Sequence, residues 1–233
     1  MPDKKILPHG LLKEIAPNVW ILEGKLPHSS LPRVMTILRV SKDQLVIHSA
    51  IAVEDEILDG IRRIGKPTHL IVPNSMHRLD AAFYKEKFPD IKVVCPLSAV
   101  EKVSKEVKVD GTCEEEFQGG ALNALSIPGI KNIELAYEFQ LPDGKSALVI
   151  NDIIVNVKKL SGFSGWLLEK MGRIGKFRTP PVQKLLFIDD KEALREWYQK
   201  LALRNNIKVV TLAHGNAVTE NISSLFHHAA IVL

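Results

Sequence analysis

Two histidines and one aspartate each follow a run of strand-forming residues. His77 comes after HLIVPNSM, Asp152 after SALVIN and His214 after IKVVTLA. Side chains at the carboxyl ends of neighbouring strands meet at one edge of a sheet, where open α/β proteins build their sites. Two imidazoles and a carboxylate can hold one divalent metal and leave positions open for water. Because a bound metal lowers the pKa of water toward neutrality, these residues are candidate metal ligands and candidate catalytic residues.

Each of the three residues also has an ordinary structural interpretation. His77 could bond to backbone within its loop, Asp152 could cap a turn, and His214 could be a buried histidine below the last helix. A weaker alternative is hydrolysis without metal, in which His48 or His77 acts as general base. No serine or cysteine nucleophile is evidently paired with either histidine, so this alternative lacks a partner residue.

Four further residues are candidates for a supporting role. Asn74, Asp80 or His48 would act as a fourth ligand or hold a ligand in place. Asp80 is also the expected cap of the helix that begins after it. Arg78, if directed into the site, would repel a metal ion and attract an anion instead.

The elements that position these residues alternate between strand and helix. β-rich runs occupy residues 18–24, 33–40 and 44–49, and apolar residues at helical spacing in VEDEILDGIRRIG predict a helix ended by Gly65 and Pro67. Strand THLIVP, helix LDAAFYKEKF and strand IKVVCP then follow in turn. This alternation is typical of βαβ units and of a partly parallel sheet.

A second block of strands precedes the last helix. ALNALSIP, IELAYEFQL and SALVIND read as antiparallel strands, the last two joined by the turn sequence PDGK. The segment DDKEALREWYQKLALRN predicts a helix capped by Asp189 or Asp190, and it leads into the strand IKVVTLA. The fold class is therefore α/β with mixed sheets.

Composition indicates one globular domain over residues 1–233. The chain is 45% hydrophobic, and its net charge of +4 is too small to indicate nucleic-acid binding. Cys95 and Cys113 do not form a CxxC pair, and the first twenty residues have no apolar core of signal-peptide type. No window approaches 18 consecutive apolar residues, so no transmembrane segment and a cytoplasmic location are expected.

Residues 158–181 form a basic and aromatic insert. The sequence KKLSGFSGWLLEKMGRIGKFRTPP has six basic residues and one acid, interleaved with apolar ones. Its four glycines weaken any continuous helix, which favours an excursion packed on the domain or on the second subunit of a homodimer. A lid over the site, contact with an anionic substrate and peripheral contact with a membrane are the alternatives.

The order of elements resembles the metallo-β-lactamase superfamily over roughly residues 17–220. The segments that carry the resemblance are LVIHS, THLIVPNSMHRLD, VVCP, SIPGI, ALVINDIIVN and VVTLAHG. More closely, LPRVMTILRV, LVIHSAI, PNSMH, FPDIKVVCP and LVINDIIVNV resemble an uncharacterised branch that lacks the usual His-rich motif. The resemblance implies a four-layer αββα sandwich with its site at one edge of two mixed sheets.

The resemblance also implies a reduced, degenerate ligand set. Asp152 matches the family's metal-bridging aspartate and His214 its late strand-end histidine, whereas His77 falls on a spacer position of the His-x-His-x-Asp-His motif. His48 stands where an acid is common at the end of an early strand. The family's other ligand positions are taken here by Asn74, Met76, Arg78, Leu79 and Ile130.

Two functions follow as hypotheses. The first is a mononuclear metal-dependent hydrolase that holds one Zn²⁺, Fe²⁺ or Mn²⁺ through His77, Asp152 and His214. The alternative is a metal-free, catalytically inactive relative that binds a small anionic ligand, a lipid or a protein partner. Because Met, Arg, Leu and Ile offer no imidazole or oxygen donors, a standard dinuclear zinc β-lactamase is excluded. Whether the protein is an enzyme stays open at this point.

Overall fold

A computed structural model describes residues 6–27, 29–157, 166 and 175–233. Most of the predicted insert, residues 158–181, therefore lies outside the described residues. Of the described part of the insert, Trp166 is exposed, and residues 175–178 form a short strand.

The first half of the chain forms a seven-stranded mixed sheet, ordered β1 to β7. Its strands are β1 (Lys13–Ala16), β2 (Val19–Leu26), β3 (Ser29–Arg39), β4 (Gln44–His48), β5 (Lys66–Ile71), β6 (Lys92–Cys95) and β7 (Gly111–Thr112). Neighbours pair antiparallel from β1 to β4 and parallel from β4 to β7. Parallel pairing requires crossovers, which contain the helices α1 (Asp55–Ile64), α2 (Ala81–Lys87) and α3 (Val100–Val103).

The second half forms a four-stranded mixed sheet in the order β13-β10-β9-β8. Its strands are β8 (Leu122–Ser126), β9 (Leu135–Gln140), β10 (Ser146–Ile150) and β13 (Ile207–Leu212). β10 pairs parallel with β13, and the other pairs are antiparallel. A small hairpin joins β11 (Val155–Val157) to β12 (Gly175–Arg178). The helices of this half are α4 (Cys113–Glu116), α5 (Pro181–Phe187), α6 (Lys191–Ala202) and α7 (Ile222–Ile231).

Alternate residues along the central strands face two different cores. In β4, Ile47 packs with the residues under α1 and α2, whereas Val46 faces the space between the sheets. In β10, Val149 faces the same space, whereas Leu148 packs with the residues of α6 and α7. This period of two produces the four layers αββα that the resemblance implies.

Two helix boundaries compare directly with the sequence predictions. The Asp190 carboxylate caps α6 by accepting from the amides of Glu192 and Ala193, as predicted. Gly65 follows the last residue of α1, but Pro67, expected to help end that helix, lies within β5. The proline is tolerated there because it pairs at a register shift between β4 and β5, where the ladder is irregular.

Candidate functional site

The candidate site lies at the carboxyl ends of four strands, two from each sheet. Ser49 directly follows β4, His77 lies in the loop after β5, Asp152 follows β10 and His214 follows β13. β4 and β5 are parallel neighbours, and so are β10 and β13. The two pairs of strand ends therefore open at one edge of the sandwich, as in other open α/β proteins.

His77, Asp152 and His214 converge at this edge. The Nε2 atom of each imidazole lies 3.1 Å from Oδ1 of Asp152, and the ring centroids are 5.3 Å apart. One potential ligand atom from each residue lies within 4.8 Å of the other two. Two imidazoles and a carboxylate at this spacing fit the donor set of one divalent ion. The three residues selected from the sequence are thus brought together.

The outer atoms of all three side chains are already held. Nδ1 of His77 lies 2.9 Å from the Ser49 hydroxyl, and Nδ1 of His214 lies 2.7 Å from the carbonyl oxygen of Pro32. Oδ2 of Asp152 accepts from the Asn74 amide at 2.7 Å. Contacts of this kind orient the ligands of metal sites and fix which imidazole nitrogen faces the metal.

The contact between His214 and Asp152 calls for a proton or a metal ion between the two side chains. Burial opposes the ionisation of Asp152, but the charges and hydrogen bonds of His77 and His214 hold its pKa well below the ordinary value. Because a carbonyl only accepts, Nδ1 of His214 carries the proton donated to Pro32. In a neutral ring, Nε2 would then direct a lone pair at the carboxylate oxygen. A protonated ring or a bound metal removes that repulsion.

Comparisons with known proteins add to this geometry. No protein-family model matches the sequence, and no curated protein matches it. Solved structures do match. The DIM-1 metallo-β-lactamase exposed to ceftazidime is 12% identical, with a TM-score of 0.63 over 98% of this chain and 99% of that one. The chain has the metallo-β-lactamase fold.

Two further metallo-β-lactamases match over nearly their whole length. An enzyme from Pontibacter korlensis is 16% identical, with a TM-score of 0.62 over 95% of this chain and 99% of that one. FIM-1 from Pseudomonas aeruginosa, in its mono-zinc form, is 11% identical, with a TM-score of 0.60 over 98% and 97%. At these identities the likeness concerns the fold. No helix in the described part of this metallo-β-lactamase-fold chain is long and apolar enough to cross a membrane.

Asn74 explains how His77 reaches the site from a position that the resemblance treats as a spacer. The Asn74 side chain is buried, and its Oδ1 accepts from the backbone amides of Met76 at 2.8 Å and His77 at 3.2 Å. An asparagine that bonds to amides two and three residues ahead closes a tight turn. That turn directs His77 toward Asp152, while the Asn74 amide nitrogen holds the same carboxylate. Asn74 therefore contacts a candidate ligand, Asp152, and is not itself a member of the cluster.

Glu134 is a buried carboxylate at the site that sequence reasoning missed. It accepts from the backbone amides of Asp152 at 3.0 Å and Ile153 at 2.8 Å, and from the Asn151 side chain at 3.3 Å. Burial, followed by the charge of Asp152, raises the pKa of Glu134 to about 8. Glu134 thus fixes the backbone that carries Asp152. An acid between Ile133 and Leu135, at the start of an apolar strand, was the available signal.

His48 lies below the site and does not join the cluster. Its ring packs edge-on against Tyr137 at 5.5 Å, and Nε2 has no hydrogen-bond partner among the described residues. Burial, with the charge of His77 as second cause, lowers the pKa of His48 to about 3, so the ring is neutral. Its place is that of a buried residue between the sheets, and not that of a ligand.

Arg78 and Asp80 lie elsewhere than the supporting positions considered for them. Arg78 contacts the carbonyl of Lys102 and the carboxylate of Glu106 on the outside, and it is not part of the cleft wall. Asp80 precedes α2 as expected, but its carboxylate does not cap that helix. Instead it accepts from the Ala52 amide at 3.0 Å and pairs with a buried arginine of β3, described next.

The cluster opens into a cleft of about 190 Å³. Arg33 from β3 lies in its wall, with its guanidinium 2.5 Å from the Asp80 carboxylate. Gln183 from α5 and several apolar side chains complete the wall. Sequence reasoning missed Arg33, because nothing near it in the chain indicates a partner 47 positions away.

Proposed function

We propose that this metallo-β-lactamase-fold protein is a mononuclear metal-dependent hydrolase whose ion is held by His77, Asp152 and His214. The observation that carries the proposal is the convergence of two Nε2 atoms and one carboxylate oxygen. The outer contacts to Ser49 and Pro32 support it, because they turn both Nε2 atoms toward the carboxylate in advance.

The chain supplies orientation, and the ion would supply the electrophile. A divalent ion such as Zn²⁺, Fe²⁺ or Mn²⁺ would supply Lewis acidity toward a substrate carbonyl and would lower the pKa of a water molecule. Asp152 offsets part of the positive charge. Asn74 and Glu134 hold that carboxylate from its side chain and from its backbone, and the side chains of His77, Asp152 and His214 are largely buried.

A second ion has no comparable set of ligands. No other histidine, cysteine or acid of the described residues joins the three-residue cluster. Met76 and Leu79 are exposed apolar side chains in the cleft wall, and Ile130 is buried with the core under α6. Thioether and hydrocarbon groups do not hold a hard or borderline ion. The proposal is therefore limited to one metal.

A metal-free binding protein is the second candidate function. If both imidazoles carry a proton on Nε2, His77 and His214 each donate to Oδ1 of Asp152, and the cluster is satisfied without an ion. The cleft would then serve only to bind a ligand. The two candidates differ in whether the purified protein contains metal.

Elemental analysis of protein purified without chelator or histidine tag tests the first candidate. We expect about one metal per chain in the wild type, and loss of metal in His77→Ala and Asp152→Ala, because each variant leaves only two donors. His228→Ala, an exposed histidine on α7, is the control and should keep the metal. Unchanged stoichiometry in both site variants would refute the proposal, and absence of metal from the wild type would favour the binding protein.

A thermal melt gives an independent readout. Metal-free protein with an ion at about 100 times its Kd should gain about 2.7 kcal/mol. For a chain of this length that corresponds to a Tm rise of about 5–11 °C. The rise should be absent in His77→Ala and present in His228→Ala.

A further inference from the structure

The cleft wall next to the three-residue cluster is largely apolar. Leu26, Leu31, Met76, Leu79 and Val155 line it, and Met76 and Leu79 are 58% and 45% exposed. Large apolar side chains at the mouth of a cleft are typical of a surface that contacts a ligand. The wall therefore favours a ligand with an apolar portion.

The charged groups of the described wall already have partners within the protein. Arg33 is the one lysine or arginine among these wall residues. Its guanidinium lies 2.5 Å from Asp80, and its Nε donates to the Lys25 carbonyl at 3.1 Å. Both side chains of this ion pair are almost fully buried, so an anionic ligand would compete with Asp80 for Arg33 inside the protein. Apart from Arg33, the three-residue cluster and Ser49, the polar side chain in the wall is that of Gln183, which carries no charge.

We infer that the cleft binds an uncharged carboxylic ester with an aliphatic acyl chain, in preference to a substrate that carries a carboxylate or phosphate on the bound portion. The inference rests on the proposed function for the reaction and on the cleft wall for the class of substrate. In the reaction the acyl C–O bond breaks. Water supplies the hydroxyl group that stays on the acyl carbon and the proton that leaves with the alcohol.

Metal-loaded protein should therefore hydrolyse p-nitrophenyl acetate, butyrate and octanoate with rising kcat/KM. Burial of each added methylene is worth up to about a fourfold gain while the chain stays inside the cleft. p-Nitrophenyl hemisuccinate has a short acyl chain that ends in a carboxylate, and bis(p-nitrophenyl) phosphate tests the phosphodiester class. Both should react at least tenfold more slowly than the butyrate. A flat dependence on chain length, or a preference for either anionic compound, would overturn the inference.

Direct binding to metal-free protein separates the substrate class from the reaction. Octanamide and suberamate have the same chain and the same amide, but suberamate carries a carboxylate at its far end. By calorimetric titration, octanamide should bind at least tenfold more tightly. If octanamide binds in this way but no ester is hydrolysed, the proposed hydrolase fails and the assigned ligand class stands. Equal binding, or tighter binding of suberamate, would refute the ligand class even in an active enzyme.

Variants place the ligand in the cleft. Met76→Gln and Leu79→Gln exchange exposed apolar side chains for an uncharged polar one, so folding should be preserved. Each should weaken octanamide binding about three- to tenfold and flatten the chain-length dependence of hydrolysis. Leu97→Gln is the matched control, because Leu97 is 69% exposed and lies outside the cleft wall. Equal effects of all three substitutions would show that octanamide binds elsewhere and would overturn the inference.

Discussion

The buried ion pair between Arg33 and Asp80 joins β3 to the loop that carries His77, and breaking it is predicted to lower the free energy of unfolding. Arg33 lies in β3, and Asp80 ends the loop between β5 and α2. The two side chains are 7% and 2% exposed, and Asp80 also accepts from the Ala52 amide. Removal of either partner leaves the other charge buried without its counter-charge.

Breaking one half of a buried pair costs about 3–5 kcal/mol, so Arg33→Met and Asp80→Asn should each lower the Tm by about 6–20 °C in a chain of this length. The double variant removes both charges and keeps an oxygen that accepts from the Ala52 amide. We therefore expect it to be more stable than either single variant, within about 2 kcal/mol of the wild type.

Urea unfolding of metal-free protein at neutral pH measures all four members of this cycle. Arg62→Met is the matched control, because Arg62 forms an exposed pair with Asp59, and it should change stability by less than about 1 kcal/mol. If the losses in the two single variants simply add in the double variant, Arg33 and Asp80 are not coupled as predicted. Single variants as stable as the Arg62 control would likewise contradict the prediction.

Three further substitutions test a buried acid, a close backbone approach and a buried hydrogen bond. Glu134→Gln should flatten the pH dependence of metal-free stability. In the wild type the pKa of Glu134 is raised to about 8. The stability contributed by the protonated form is therefore complete below the ordinary pKa and is lost as pH rises through 8, with a slope of up to about 1.4 kcal/mol per pH unit. Parallel urea titrations of the two proteins across this pH range would contradict the prediction. Gly215→Ala should lower stability by about 1–3 kcal/mol or more, since Gly215 has φ +97° and a Cβ there would lie 2.2 Å from the Asn156 carbonyl oxygen; an unchanged Tm would show that this close approach relaxes freely. Tyr84→Phe should cost about 1–3 kcal/mol in urea, because its hydroxyl donates to the buried Ile51 carbonyl at 3.1 Å, and a loss below about 0.5 kcal/mol would argue against that bond.

Local patterns of apolar and polar residues predicted most of the strands and helices. They failed where the contrast between apolar and polar residues is weak. Strands β2 to β6 and the four strands of the second sheet were predicted from apolar runs, and helices α1, α2 and α6 from apolar residues at helical spacing, whereas the short strands β1 and β7 were not predicted. Helix α7 was missed, although it packs Phe226 and Ala229 into the core. Its exposed face carries His227 and His228 and no acid, lysine or arginine, so the contrast between faces that indicates an amphipathic helix is small. Tertiary packing, and not local pattern, determines this helix.

The candidate site could be predicted as far as the ends of the strands could be located in the sequence. His77, Asp152 and His214 could be selected because each follows an apolar run, and parallel neighbours bring such ends together. Glu134 and Arg33 could not be selected in the same way. Each depends on a contact made across the fold, with the loop after β10 in one case and with Asp80 in the other. A long-range contact leaves no periodic signal in the sequence.

The three outer contacts explain how the proposed one-ion set can exist where the resemblance expects further ligands. His77 is held by Ser49, His214 by Pro32 and Asp152 by Asn74. With one exception, these contacts do not involve the positions where the resemblance expects the remaining ligands. The exception is Asn74, which donates to the Asp152 carboxylate. The absence of ligands for a second ion therefore removes nothing that orients His77, Asp152 and His214, the proposed ligands of one ion. Metal affinity in this chain should accordingly depend on the three outer contacts, and hardly on the side chains at 76, 78 and 79.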